Sequence, residues 1–451
     1  MAQYTSLERK NNVTFMTHAY RKKLFALFVI LFAIVGVVVL YYTFGYRFDI
    51  ETFTVHKAGA LYIETTPRSV AITLGDEPYK DESSLLQRGT LLSGIFPKRY
   101  HLAITKEGYH PYEKNVEIVP SQVTRVTNVL LVPTTIATTT YTIPLSADFV
   151  LATAQNHIVF YDQKTKAYKR FDTTTSTAPI NLFSKITALA KTPIETIARY
   201  PQEKNRFIIK TAKGIFTADV EKASLQPIAK VTNIAAWTTS ENNLYYITPV
   251  AREKNIVVSS VATPPPATFA LSVYDLMLAK DIHTYTIQLP SFITSLSFLE
   301  CTNTLCVLVT PAGSLFTVTL EEPTLIQQIA DKAKLARFSP DGSRLLYQDK
   351  DGKTFVYLFK DDLVSLNAKK GDALYVRLSD AGHIQDMQWI DNAHILCFYD
   401  DKITIAEITS SEPNNQFVIV GAHDHALYDS QYKTLYIQKE SRVIAYPLSF
   451  E

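Results

Sequence analysis

From Leu24 to Tyr42 the chain reads LFALFVILFAIVGVVVLYY, nineteen residues without a charge. As a helix, such a run is about long enough to cross a ~30 Å hydrocarbon layer. It also lacks the polar stripe that a helix lying on a soluble core carries. Tyr41 and Tyr42 close it, where aromatic rings favour the headgroup boundary. Arg9, Lys10, Arg21, Lys22 and Lys23 precede the run, whereas Arg47 and Lys57 follow it mixed with Asp49 and Glu51. The positive-inside bias therefore predicts residues 1–23 as a cytoplasmic N-terminal tail, 24–43 as a transmembrane helix and the remainder as extracytoplasmic. A cleaved signal peptide would have a shorter apolar region and a small-x-small site after it, but here the run ends in YYTFGYRFD. The expected location is the cell membrane, through a single uncleaved signal anchor.

The rest of the chain has the composition of a folded protein. Hydrophobic residues make up 47% and aromatics 12%, with 26 Tyr and 24 Phe against only 14 Gly, which excludes a disordered or collagen-like chain. Lys plus Arg is 45 and Asp plus Glu is 43, so a net charge of +2 gives no basic field for a phosphate backbone, and nucleic acid is not an expected partner. Three cysteines in 451 residues cannot build a disulfide framework, and their spacing fits no paired CxxC zinc site.

Between Lys57 and Val132 alternating strands dominate: ALYIET, SVAITLG, YHLAIT, KNVEIV and TRVTNVLLV, separated by turn formers such as Pro67, Gly75, Pro97, Gly108 and Pro120. Each half-buried sheet must cover its apolar face, so residues 56–133 are expected to form a small β-sandwich. TPRSVAITLG at Thr66 to Gly75 and PKRYHLAITKEGYHPY at Pro97 to Tyr112 resemble the PEGA domain, a family of small extracytoplasmic β modules. The resemblance implies a spacer or binding module outside the membrane and carries over no catalytic residue.

VPTTIATTT, from Val132 to Thr140, is uncharged and rich in Pro and Thr, and marks a boundary. In the 311 residues after it a repeat emerges. Aromatic residues recur at Tyr200, Trp237, Phe298, Phe338, Trp389 and Tyr428, each with an apolar residue two before (Ala198, Ala235, Leu296, Ala336, Met387, Ala426) and another seven after (Phe207, Leu244, Leu305, Leu345, Leu396, Leu435). Two short strands joined by a turn give this pattern. The spacings are 37, 61, 40, 51 and 39, the long ones carrying insertions around TPPPAT and KDDLVSLNAKKGD. A period of about 40 residues with four short strands per unit is the signature of a β-propeller blade, and the length predicts about seven blades over 141–451. The clearest unit, ARFSPDGSRLLYQDKDGKTFVYLF from Ala336 to Phe359, is similar to the repeat of TolB-like and WD-repeat-like propellers. Closure is expected to pair YTIPL, Tyr141 to Leu145, with the last blade around LYIQKESRVIAYPL, removing an exposed edge.

The fold class is thus mainly β: one transmembrane helix, a small β-sandwich, then a propeller. No residues stand out as a catalytic, cofactor-binding or metal site. Cys306 and Cys397 occupy strand positions and are expected to pack as small apolar residues. Cys301 and Cys306 flank a short turn, so an intrablade disulfide is geometrically open to them. His423-Asp424-His425 could place two imidazoles on one strand face, but a solvated loop before the last blade is the preferred reading. The DKDG at Asp349 lacks the further acidic positions of a calcium loop and is read as a hairpin turn. No GxSxG, HExxH, Walker or dinucleotide pattern appears. The leading expectation is a membrane-anchored extracytoplasmic binding or scaffold protein, not an enzyme, whose propeller recruits an envelope protein or wall polysaccharide, without a cofactor. The alternative is an extracytoplasmic hydrolase or lyase with acidic and His residues converging on the central channel. Two carboxylates, or a His and a carboxylate, meeting in a pocket would favour that alternative.

Overall fold

The structure is a computed structural model. It describes residues 18–49, 53–83, 87–143, 147–154, 157–172, 179–189, 192–201, 203–229, 233–250, 267–363, 366–378, 383–409 and 414–450. Arg9, Lys10 and most of the TPPPAT insertion lie outside the described residues. Contacts divide the chain into two compact units: residues 1–63, 82–100 and 116–126, and residues 64–81, 101–115 and 127–451.

In the first unit, α1 spans His18–Thr43. Of it, Tyr20–Thr43 is long and apolar enough to cross a membrane and is not buried against the protein. An antiparallel hairpin follows, β1 (Tyr46–Asp49) and β2 (Thr54–Lys57). Most of a three-stranded sheet belongs here, β3 (Gly59–Thr66) between β6 (Thr90–Ile95) and β9 (Val123–Leu130). β3 alternates strictly between buried and half-buried residues, as period-two patterning requires.

The second unit holds most of a four-stranded sheet, ordered β5 (Glu77–Lys80), β4 (Ala71–Leu74), β7 (Arg99–Thr105), β8 (Tyr112–Glu117). Among the described residues it also holds seven four-stranded antiparallel sheets formed from residues 139–447. Six are consecutive meanders. The seventh is completed by β10 (Thr139–Thr142), which pairs with the final strand Arg442–Pro447 in the register Thr139↔Ala445 to Thr142↔Arg442. The expected closure is therefore present, through a strand that begins two residues before Tyr141; Pro144 and Leu145 of YTIPL lie outside the described residues. The first strand of the first meander, Ala147–Ala154, also touches the first strand of the last blade, His425–Asp429, which brings the two ends of the ring together.

Five of the six marker aromatics map onto inner strands of these blades, and Tyr200 stands one residue beyond the inner strand Ile194–Arg199. Trp237, Phe298, Phe338, Trp389 and Tyr428 lie on innermost strands, and Leu244, Leu305, Leu345, Leu396 and Leu435 on the strands that follow. Phe338 and Tyr428 directly face Leu345 and Leu435. The middle strands are the buried parts of the sixth blade: His394–Tyr399 is buried at all six positions and Ile403–Glu407 at all five. Packing between sheets builds the core, as in the cluster joining Leu346, Val356 and Leu358 of the fifth blade to Trp389, Ile395 and Cys397 of the sixth. Gly342 in SPDG and Gly352 in DKDG take φ of +66° and +82°, conformations that L side chains rarely adopt.

β8 meets the sixth blade within the second unit. Lys114 Nζ lies 2.9 Å from Glu407 Oε1, the Tyr112 hydroxyl donates to the same oxygen at 3.1 Å, and Asn415 Nδ2 donates to Glu407 Oε2 at 2.9 Å. Asn415 also exchanges hydrogen bonds with the Glu113 backbone, 3.1 Å each way. Nearby, the His110 ring stacks on Phe417, and Leu130 and Val132 join the apolar cluster of Ile390, Leu396 and Phe398.

Candidate functional site

The innermost strands of a propeller line its channel, so their outward-pointing residues define what a ligand there would meet. A cavity of about 530 Å³ opens between the inner strands Ala236–Ser240, Phe298–Cys301 and Ala333–Phe338 of the third, fourth and fifth blades. Trp237, Phe298, Glu300, Lys210 and Arg337 are among its lining residues.

Arg337 is the centre of charge. Its guanidinium reaches Glu300 at 3.7 Å and, on the sixth blade's inner strand, Asp386 at 3.5 Å, so two carboxylates share one cation. The arrangement is braced. Arg337 Nη1 donates to its neighbour Ala336 O at 3.0 Å, and its guanidinium carbon sits 5.0 Å above the Phe298 ring. Trp389 Nε1 donates to the Arg337 carbonyl at 3.0 Å, tying the fifth and sixth blades together. Glu300 Oε1 accepts the Phe338 N–H at 3.1 Å, and Asp386 Oδ2 accepts from Gln388 Nε2 at 3.0 Å. Trp237 Nε1 donates to Thr196 Oγ1 of the second blade at 3.2 Å.

Glu300 is the unusual member. Protein surrounds it on most sides, leaving 23% of its side chain exposed at the cavity mouth. Desolvation pushes its carboxyl up from 4.5 to about 7, against the pull of the Arg337 charge and the Phe338 N–H, with Asp386 adding to the rise. At neutral pH the site therefore holds Asp386, Arg337 and a Glu300 poised between acid and carboxylate. It can donate or accept a proton, and it can pair a cationic or hydroxyl-rich group with the carboxylates while Trp237 and Phe298 offer ring surface.

Of the Cys, His and Asp residues singled out in the sequence, Cys301 lines this cavity and the others fall elsewhere. Cys301 and Cys306 face each other across the fourth blade's first hairpin and are joined as a disulfide. Cys306 packs in the apolar cluster between the third and fourth blades, as expected of a small apolar residue, but bonded to Cys301, which register places as its direct partner. Cys397 is free and buried, and burial pushes its thiol up to about 12, which keeps it inert. His423 and Asp424 form the turn before His425–Asp429: His423 Nδ1 lies 3.2 Å from Gly421 O, and the Asp424 N–H donates to Gln438 O. No group of three metal-ligating side chains is found among the described residues. Asp349 closes a hairpin, accepting the Asp351 and Lys353 N–H groups at 2.9 and 2.8 Å.

A His and a carboxylate do meet at His394 and Asp391, 2.9 Å apart, but as part of a tight turn. Asp391 also accepts the Ala393 and His394 N–H groups at 2.7 and 2.8 Å. Burial raises its carboxyl, but His394 and these N–H groups outweigh that and hold it below its ordinary value. This pair braces a loop.

No family model matches the chain, and no curated protein matches it. Among solved structures it is similar to an oligogalacturonate lyase in complex with manganese, at 11% identity and a TM-score of 0.44 over 70% of this chain and 97% of that one. It is also similar to YCF48 bound to D1 peptide, at 13% identity and a TM-score of 0.43 over 68% of this chain and 96% of that one. A third is Kluyveromyces lactis Hsv2, at 8% identity and a TM-score of 0.40 over 85% of this chain and 98% of that one.

Proposed function

We propose that this chain is a membrane-anchored binding protein whose seven-bladed propeller recruits an envelope protein or wall polysaccharide on the extracytoplasmic side. The observation that carries the reading is α1. Its apolar span from Tyr20 to Thr43 has no protein surface covering it, and an uncovered apolar helix of that length is stable in lipid and not in water. The basic residues before it supply the orientation. The Cys301–Cys306 disulfide supports the same side, because disulfides persist in oxidising compartments. The β-rich segment between anchor and propeller is a PEGA-like spacer in this reading. The propeller supplies a rigid frame from which loops and channel contact a partner.

In a membrane fractionation, the full chain stays in the pellet after alkaline carbonate washing, whereas a chain lacking residues 1–43 is released. Release of the full chain would remove the anchor. The recruiting role is tested by capturing envelope proteins on the solubilised chain and on a chain ending at Pro133; specific capture that needs residues after Tyr141 supports it. Equal capture by both would move recruitment off the propeller.

A second reading is favoured by one observation, the Glu300–Arg337–Asp386 group with its elevated carboxyl. It makes the channel the site of an extracytoplasmic hydrolase or lyase acting on glycans or peptides. Release of soluble fragments from isolated wall polysaccharide or peptide, abolished by Glu300→Gln, would support this second reading. Retention of intact polysaccharide on wild type and variant alike would leave binding alone.

A further inference from the structure

We infer that the β1–β2 hairpin is a second membrane contact, an amphipathic hairpin that lays Phe48, Phe53 and Val55 into the headgroup layer beside the helix end. The inference rests on the anchor reading of α1.

Register divides the hairpin into two unlike faces. Tyr46 pairs with Lys57 and Phe48 with Val55, so these four share one face; Arg47, its partner His56, and Thr54 lie on the other. Phe53 has the parity of Val55, and its ring meets Phe48 edge-on at 6.2 Å. One face is therefore aromatic and aliphatic with a lysine at its end, and the other is polar. Among the described residues nothing covers the apolar face. Phe48, Phe53 and Val55 are 55%, 78% and 53% exposed, and Phe44 at the helix exit is 72% exposed. Single exposed apolar residues are ordinary, but a contiguous cluster marks an interaction surface.

The helix decides which surface. Only Phe44 and Gly45 separate Thr43 from Tyr46, and two residues span at most about 7 Å. Where α1 leaves the hydrocarbon, the hairpin is within the headgroup layer. It is also fixed to the helix. The Ala58 N–H donates to Gly45 O at 2.8 Å. Arg47 donates to the Tyr42 and Tyr46 carbonyls at 3.1 and 3.2 Å, with its guanidinium 3.7 Å over the Tyr42 ring. Arg47 also covers Gly94, where a Cβ would come within 3.2 Å of Nη2. Tyr41 stacks obliquely on Tyr46 at 5.4 Å, and Lys57 lies 5.5 Å from the Tyr46 ring. Aromatic rings with adjacent cations are the composition that interfacial segments use, the rings at the acyl boundary and the cations on lipid phosphates.

The test is spin labelling of the full chain in vesicles of phosphatidylcholine with phosphatidylglycerol. Nitroxides are placed singly through Phe53→Cys, Thr54→Cys and Val35→Cys; the buried native Cys397 does not compete. A several-fold higher ratio of oxygen to nickel-chelate collisions at position 53 than at 54, with position 35 fully in lipid, supports the hairpin contact. Position 35 in lipid with 53 and 54 equally open to nickel overturns it and leaves the anchor standing. Position 35 open to nickel removes the anchor and the inference together. Spin–spin broadening at 53 that disappears on dilution with unlabelled chain identifies a second copy as the occupant and also overturns it.

Discussion

Lys114→Met should lower the unfolding free energy by about 3–5 kcal/mol, because it leaves a carboxylate buried without its cation. The side chains of Lys114 and Glu407 are only 11% and 6% exposed, so water cannot replace the lost partner. Tyr112 and Asn415 still donate to Glu407 in the variant. Burial and the Glu407 charge raise the Tyr112 hydroxyl well above its ordinary value, so it remains a donor at neutral pH. Glu407→Leu should cost a similar amount by stranding the ammonium group and the phenol. The double variant Lys114→Met, Glu407→Leu should recover much of the loss, since replacing both buried charges with apolar groups is often neutral. Urea unfolding of the detergent-solubilised chain measures all three. Tryptophan fluorescence reports the transition, with Trp389 in the same blade as Glu407 and Trp237 in the third blade. Single variants within 1 kcal/mol of wild type would mean that water screens the pair, as at an exposed bridge.

Such a contact leaves no trace in the sequence, for reasons that also explain what was legible. Lys114 and Glu407 are 293 residues apart, and neither sits in a recurring pattern. The blades were legible because a repeat states the same rule many times: an aromatic on the inner strand, an apolar residue seven later on the next. Individual failures of the turn, as at IARYPQEKNRFIIKT, do not erase it. The closing strand was legible through its alternation and the need to cover an edge. The channel group was not. Glu300, Arg337 and Asp386 stand at +2, −1 and −3 from their blades' marker aromatics Phe298, Phe338 and Trp389, so no common offset links them. They converge because three blades are packed around one axis. Cys301 and Cys306 had the right spacing, and only strand register decided that they meet. The β1–β2 hairpin had a signal in the alternation of YRFD and TVHK, but two four-residue strands are too short to stand out beside the helix they follow.

Glu300 provides the second large effect, and its sign follows from the direction of the shift. In the unfolded chain the carboxyl releases its proton near 4.5, whereas in the folded chain it holds it to about 7. Between these values the folded state binds more protons than the unfolded state, so stability falls as pH rises. The loss begins as pH passes 4.5 and is complete above about 7. The full shift corresponds to about 3 kcal/mol, an upper bound that solvent at the cavity mouth reduces. Glu300→Gln should flatten the wild-type slope over this window and be the more stable protein at pH 8, while at pH 4 the two should differ little. Its amide can still accept the Phe338 N–H, so the change isolates the charge. Parallel pH–stability curves for wild type and variant would mean that Glu300 titrates as an ordinary carboxylate. The same titration reaches function: below pH 7 the neutral Glu300 leaves Arg337 balanced by Asp386 alone, and above it the Glu300–Arg337–Asp386 group carries a net negative charge. A cationic partner in the channel should therefore bind more tightly at pH 8 than at pH 6, and Glu300→Gln should remove that dependence.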